Sequence, residues 1–88
     1  MAGEERIRAR NFVGKIVVSE ETGRKFGTVG DISFITESGE LMNLIMVDPT
    51  KHADSLNLQE DKKGRRLIPF SSVKSVGDFV IISEEEVA

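Results

Sequence analysis

Few side chains in this sequence could perform acid–base or metal chemistry. His52 is the only histidine among the 88 residues, and cysteine is absent. His52 lies beside Lys51 and Asp54 in a polar stretch, where a solvated imidazole is the expected state. A zinc site draws its ligands from several converging His, Cys or carboxylate groups, which a single histidine without cysteines does not supply. We therefore predict no catalytic residue, no metal site and no cofactor.

Neighbouring carboxylates are the other candidates for acid chemistry. They occur as the groups Glu4-Glu5, Glu20-Glu21 and Glu84-Glu85-Glu86. All three groups fall in predicted turns or tails, so burial cannot raise their pKa values as a general acid requires. The G-x-x-G spacing of Gly27 and Gly30 lacks the following Lys-Ser/Thr of a phosphate-binding loop, and a bend in a strand explains it better. These patterns indicate a binding protein rather than an enzyme.

A basic cluster admits two interpretations. It comprises Lys62, Lys63, Arg65 and Arg66. Glu60 and Asp61 directly precede it, the chain carries a net charge of −3, and it has no Trp or Tyr on which bases could stack. A nucleic-acid partner is therefore disfavoured. A solvated loop is the first interpretation, and a charged patch that docks on an acidic protein surface is the second.

The elements that would position these residues are short strands. Apolar runs of four to eight residues, rich in Val, Ile and Phe, alternate with Gly, Ser, Asp and Glu. Strands are predicted at 15–18, 25–36, 41–48, 66–70 and 79–82, with a turn at 37–40 and a long polar loop at 50–64. This pattern predicts an all-β fold, a small and strongly bent β-barrel of five to six short strands with one long polar loop.

The chain is expected to divide into a flexible N-terminal segment (1–10), a barrel domain (11–83) and an acidic tail (84–88). No apolar run approaches the roughly 18 residues of a membrane-spanning helix. Together with the absence of cysteine, this predicts a cytoplasmic protein without direct membrane insertion.

Two predicted strands have apolar residues on both faces. In the strand at 41–48, Met42, Leu44 and Met46 alternate with Leu41, Ile45 and Val47, and the strand at 79–82 is wholly apolar. The second face is covered either by another part of the chain or by a partner protein, for which exposed Met is well suited. Our hypothesis for the association face comprises Met42, Leu44, Met46, Val80 and Ile82.

Five motifs occur in the order found in a known family. They lie at 9–15, 27–32, 36–41, 67–70 and 73–81, and include Ile68-Pro69-Phe70 and Gly77-Asp78-Phe79. Together they resemble the PRC-barrel, the small β-barrel of the photosynthetic reaction-centre H subunit and of the C-terminal half of the ribosome maturation factor RimM. The resemblance covers about residues 8–83.

The resemblance is closest to the short stand-alone PRC-barrel proteins of archaea. It implies a cell-division scaffold that acts with SepF and the FtsZ ring near the membrane, through association with itself or with a related barrel. The alternative is a ribosome- or RNA-associated maturation factor that uses the basic loop 62–66. The sequence departs from the usual stand-alone pattern in its long polar loop, which bears on the choice of partner.

Overall fold

The computed structural model describes residues 11–34 and 41–87. In this part of the chain a single curled sheet contains seven strands. They are β1 (Ile16–Ser19), β2 (Lys25–Phe34), β3 (Leu41–Val47), β4 (Gln59–Glu60), β5 (Arg66–Pro69), β6 (Val73–Val76) and β7 (Phe79–Ile82). Two 3-10 helices, Lys51–Ser55 and Phe70–Ser72, and a short C-terminal helix α1 (Glu84–Val87) complete the described structure. The predicted all-β, barrel-like fold is confirmed.

The strands lie in the order β4-β5-β3-β2-β1-β7-β6. All neighbouring pairs are antiparallel except β1 and β7, which run parallel with Ile16 opposite Phe79 and Ser19 opposite Ile82. The first and last strands of the described chain therefore lie side by side within the sheet, and β4 and β6 form its two edges. This arrangement brings residues that are about 60 positions apart onto one surface.

The inner face of the sheet forms the hydrophobic core. Alternation decides which residues face inward, because successive side chains of a strand point to opposite faces. In β1, Val17 and Ser19 are buried while Ile16 and Val18 are only partly so. The core comprises Phe12, Val17, Phe26, Val29, Ile32, Leu44, Met46, Ala53, Ile68, Val80 and Ile82.

The irregularity predicted at the glycines of β2 is confirmed. Pairing between β2 and β3 skips Gly30, since Val29 faces Met46 and Asp31 faces Ile45. Pairing between β1 and β2 is also shifted next to Gly27. Such bulges bend a strand and increase its twist, so ten residues of β2 can follow the curvature of a small sheet.

The stretch predicted as a long polar loop has structure of its own. Thr50 caps the 3-10 helix Lys51–Ser55, its hydroxyl accepting from the backbone N–H of His52 at 3.2 Å. Ala53 is fully buried, and Leu56 and Leu58 pack against the core. These apolar contacts fix the segment to the sheet and lead it into β4, whose two residues pair with β5.

Helix α1 begins the segment that sequence analysis separates as an acidic tail, and hydrogen bonds fasten it to the β1–β2 turn. The carboxylate of Glu84 accepts from the hydroxyls of Ser19 and Thr22. The carboxylate of Glu21 accepts from the Ser83 hydroxyl at 2.7 Å and from the backbone N–H of Glu84 at 2.8 Å. Two glutamates thus connect the turn and α1 reciprocally, and Val87 packs against the core.

The helices of the described residues are all too short to span a bilayer. The predicted flexible segment 1–10, the turn at 37–40 and the end of the predicted second strand at 35–36 lie outside the described residues.

Candidate functional site

The structure corrects the predicted association face. Leu44, Met46, Val80 and Ile82 are all in the core, with at most 2% of their surface exposed. All four side chains belong to the single buried cluster inside the curled sheet, so the core needs them. The fifth predicted residue, Met42, belongs to β3, and its side chain lies outside the described part of the structure.

The remaining apolar residues of β3 and β7, which do not fill the core, therefore lie on the outer faces of these strands. On β3 the outer face carries Asn43, Ile45 and Val47, because these residues alternate with buried Leu44 and Met46. Ile45 is only 8% exposed although it lies outside the core cluster. The outer face of β3 at Ile45 is thus covered within the chain.

The outer face of β1 and β7 is different. Phe79 is 44% exposed and lies opposite Ile16 in the parallel pair, and Ile81 lies opposite Val18. These four side chains, here called the outer β1–β7 patch, form two adjoining apolar pairs, and all of them retain contact with solvent. In a sheet with one face in solvent, the positions that alternate with the core residues are ordinarily occupied by polar side chains.

Polar residues border the outer β1–β7 patch on both neighbouring strands. Ser75 of β6 is opposite Ile81, and on β2 Lys25 is opposite Val18 and Thr28 is opposite Ile16. Asp78, in the β6–β7 turn, is exposed beside Phe79. An apolar centre that contains an aromatic ring within a polar rim is the usual anatomy of a protein–protein interface.

The predicted charged patch is partly neutralised by the chain itself. The Arg65 guanidinium lies 2.8 Å from the Asp61 carboxylate, and that of Arg66 lies 2.7 Å from the carboxylate of Asp54. Lys62 and Lys63 are exposed and form no ion pair within the described residues. Only half of the basic cluster therefore presents unpaired charge to a partner from this part of the structure.

Hydrogen bonds to Asp61 fix the conformation of the turn that carries Lys62 and Lys63. One carboxylate oxygen of Asp61 accepts from the backbone N–H groups of Lys63 and Arg65, and the other accepts from the Arg65 side chain. Desolvation opposes ionisation of this carboxyl, but the hydrogen bonds from Arg65 and Lys63 outweigh it and lower the pKa of Asp61. Gly64 closes the turn at a φ of +81°. Lys62 and Lys63 are thus presented on a preorganised hairpin.

The candidate acid–base groups Glu21 and His52 lie in different elements. The Glu84 backbone N–H and the Ser83 hydroxyl bind the Glu21 carboxylate and lower its pKa, the opposite of what a general acid needs. His52 is half-buried in the 3-10 helix that follows Thr50. Within residues 11–34 and 41–87 there is no group of three His, Cys or carboxylate residues that could hold a metal ion.

Sequence reasoning found the strand that carries the exposed patch but chose its other face. The signal was the run of four apolar residues in β7, which does not show which pair points inward. The pairing of β7 with β1 decides this, and that contact joins the two ends of the described chain.

Comparison with protein-family models matches residues 4–87 to the PRC-barrel domain. A search of curated proteins finds no match.

Proposed function

The chain belongs to the PRC-barrel domain family, and from this premise we propose that it is a non-catalytic interaction module that binds a second copy of itself through the outer β1–β7 patch. Membership of this family indicates a protein-interaction module in general. The observation that carries the proposal is the 44% exposure of Phe79 within an apolar surface. Exposed aromatic residues in such a surface are typical anchors of protein interfaces.

The energetic argument concerns apolar area. Full burial of a side chain such as Phe is worth about 1.5–3 kcal/mol relative to full exposure. The exposed part of Phe79, together with its partly exposed neighbours Ile16 and Ile81, therefore leaves burial energy unused in the monomer. Association through this face recovers that energy.

The charges at the rim of the patch favour a second copy as the occupant. Lys25 lies at the Val18 end of the patch, and Asp78 lies at the Phe79 end. A two-fold axis that lies in the plane of the patch and runs across the strands would place the Lys25 end of one copy against the Asp78 end of the other. The surface is thus complementary to itself, as a symmetric dimer interface must be.

The decisive experiment is light scattering coupled to size exclusion over a concentration series. We expect a concentration-dependent dimer for the wild type and a folded monomer for Phe79→Ser. Val76→Ser is the matched control, since Val76 is 39% exposed on the neighbouring strand but lies opposite inward-facing Val80 rather than in the patch. A wild type that stays monomeric at about 1 mM, or a Phe79→Ser variant that dimerises like the wild type, would overturn the proposal.

A charge exchange tests the symmetry of the interface. Lys25→Glu and Asp78→Lys should each weaken the dimer, because each places like charges at the rim. The double variant should recover much of the lost affinity. Failure of the double variant to recover would indicate that these two residues do not meet across a two-fold axis.

We further propose that the module acts as a cytoplasmic cell-division scaffold with SepF and the FtsZ ring. The support is the resemblance to stand-alone archaeal PRC-barrel proteins. The polar segment 50–64 departs from the usual pattern of those proteins, and this difference bears on how the chain would contact SepF. Calorimetric titration of the purified chain with SepF tests this proposal directly. Saturable binding supports it, and the absence of heat at two well-separated temperatures, at concentrations that give a stable dimer, rejects it without affecting the proposal of self-association.

A further inference from the structure

A second surface lies beside the edge strand β4 and has a different character. It is a pocket of about 190 Å³ lined by three carboxamide side chains and four apolar ones. The carboxamides belong to Asn43, Asn57 and Gln59, and the apolar side chains are those of Leu58, Leu67, Pro69 and Val87 of α1.

Strand register explains why these residues meet. Asn43 lies opposite Pro69 across β3 and β5, and Leu67 lies opposite Gln59 across β5 and β4. These side chains share the face that is turned away from buried Ile68. The pocket therefore lies on the outer face of the sheet, is closed in part by Leu58 and Val87, which also contact the core, and is separate from the outer β1–β7 patch.

The size and lining of the pocket define what it can hold. Pockets for drug-sized ligands and cofactors are about 300–1,000 Å³, so this one is suited to a single side chain. Its four apolar side chains favour an aliphatic group. The side-chain amides of Asn57 and Gln59 are exposed and form no hydrogen bond with the described residues, and a carboxamide offers both the donor and the acceptor that a peptide group needs.

The adjoining backbone can accept another strand. β4 pairs with β5 along one side, and no described strand pairs with its other side. An unpaired edge presents backbone N–H and C=O groups that an extended peptide can use, and pockets for alternate side chains then give specificity.

We propose that an extended segment of a partner protein adds to the free edge of β4, with an aliphatic side chain in the pocket and an acidic residue against Lys62 and Lys63. Lys62 and Lys63 follow Gln59 of the pocket by three and four residues along the chain, so we expect the acidic residue about three or four positions from the aliphatic one. Glu60 does not oppose it, because Glu60 faces the other side of the sheet, where it borders a separate depression with Arg66.

This inference rests on the proposed function only in treating the chain as an interaction module. It requires neither dimerisation nor the outer β1–β7 patch. Phe79→Ser should therefore bind the same peptides as the wild type, so a failure of self-association and a failure of this site can be told apart.

The test uses a random peptide library displayed on phage and panned on the immobilised full chain. We expect enrichment of sequences that carry an aliphatic residue followed or preceded, at about three or four positions, by Asp or Glu. The most enriched sequence is then synthesised and titrated into the labelled protein by NMR. The side-chain NH2 signals of Asn57 and Gln59 should shift together with the backbone N–H signals of β4.

Variants assign the binding to individual groups. Gln59→Ala should weaken the synthesised peptide about three- to tenfold, and a Lys62→Ser, Lys63→Ser double variant should weaken it in low salt more than in high salt. Lys51→Ser is the control, as an exposed lysine outside β4 and its turn. No enrichment, enriched sequences without the pattern, or signal shifts confined to residues outside the pocket would each overturn the inference.

Discussion

The side chain of Val47 lies so close to the backbone of Gly30 that a Cβ atom placed on Gly30 would be 2.7 Å from Val47 Cγ1. Gly30 is also the residue at which the pairing of β2 with β3 shifts. The missing side chain thus allows β3 to cross the bulge of β2 at close range, and the sheet curls at this point.

Substitution of Gly30 should therefore weaken the fold through steric overlap. We expect Gly30→Ala to lower the free energy of unfolding by about 1–3 kcal/mol, measured by urea denaturation. Val47→Ala in the same chain should recover part of this loss, because it removes the two methyl groups that the new Cβ meets. Gly77→Ala is the control, since a Cβ there meets no atom within 4 Å. Additive effects of the Gly30 and Val47 substitutions would contradict the overlap.

We expect Met46 to tolerate replacement by an apolar residue of similar size but not by a charged residue. It is 2% exposed, and its Cγ and Sδ atoms lie 2.7 Å from a Cβ placed on Gly27. Met46→Glu should unfold the protein, because burial of an unpaired carboxylate costs several kcal/mol. Met46→Leu should lose less than about 1.5 kcal/mol. Circular dichroism distinguishes the two, and a folded Met46→Glu variant with altered self-association would restore this residue to the interface.

Sequence reasoning identified the strands whose apolar residues reach the core. β1, β2, β3, β5 and β7 were all predicted, with boundaries that differ by at most one residue wherever the structure describes them. The glycine bend in β2 was predicted because a twelve-residue strand is too long to remain straight in a small barrel. Hydrophobic periodicity is the dominant local signal of strand formation, and these segments carry it.

The missed elements are the ones without that signal. β4 is only Gln59–Glu60, and β6 is Val73–Val76 with three exposed residues. Both form because a neighbouring strand supplies hydrogen bonds, which local sequence cannot show. The same limit applies to the choice of exposed face in β7, since Phe79 and Val80 are equally apolar and only the pairing with β1 separates them.

RNA binding by the basic cluster should be weak. Two of its four cations are engaged by Asp61 and Asp54, and affinity for a phosphate backbone depends on the number of cations that displace counterions. We expect no saturable binding of single-stranded RNA in a filter-binding assay at about 150 mM salt. Tight binding that falls steeply with salt and disappears in a Lys62→Ser, Lys63→Ser variant would instead favour the ribosome-associated alternative.

Acid should loosen the connection between α1 and the β1–β2 turn. Glu21 accepts hydrogen bonds from the Glu84 backbone N–H and the Ser83 hydroxyl, and these lower its pKa in the folded protein. A carboxyl with a lowered folded pKa stabilises the protein above its unfolded pKa, and this stabilisation is lost as the pH falls through the folded value. The free energy of unfolding should therefore decline in the range below about pH 4.3, the ordinary pKa of a glutamate.

A comparison of two neighbouring glutamates isolates this effect. Glu21→Gln should flatten the acid decline in the free energy of unfolding, since the amide cannot titrate. Glu20→Gln is the matched control, because its carboxylate makes no hydrogen bond with the described residues. Asp61, whose pKa is also lowered, accounts for part of the slope that remains in Glu21→Gln, so Asp61→Asn in that background should flatten the decline further. Equal slopes in the wild type and Glu21→Gln would show that the hydrogen bonds between the turn and α1 contribute no stability that depends on the charge of Glu21.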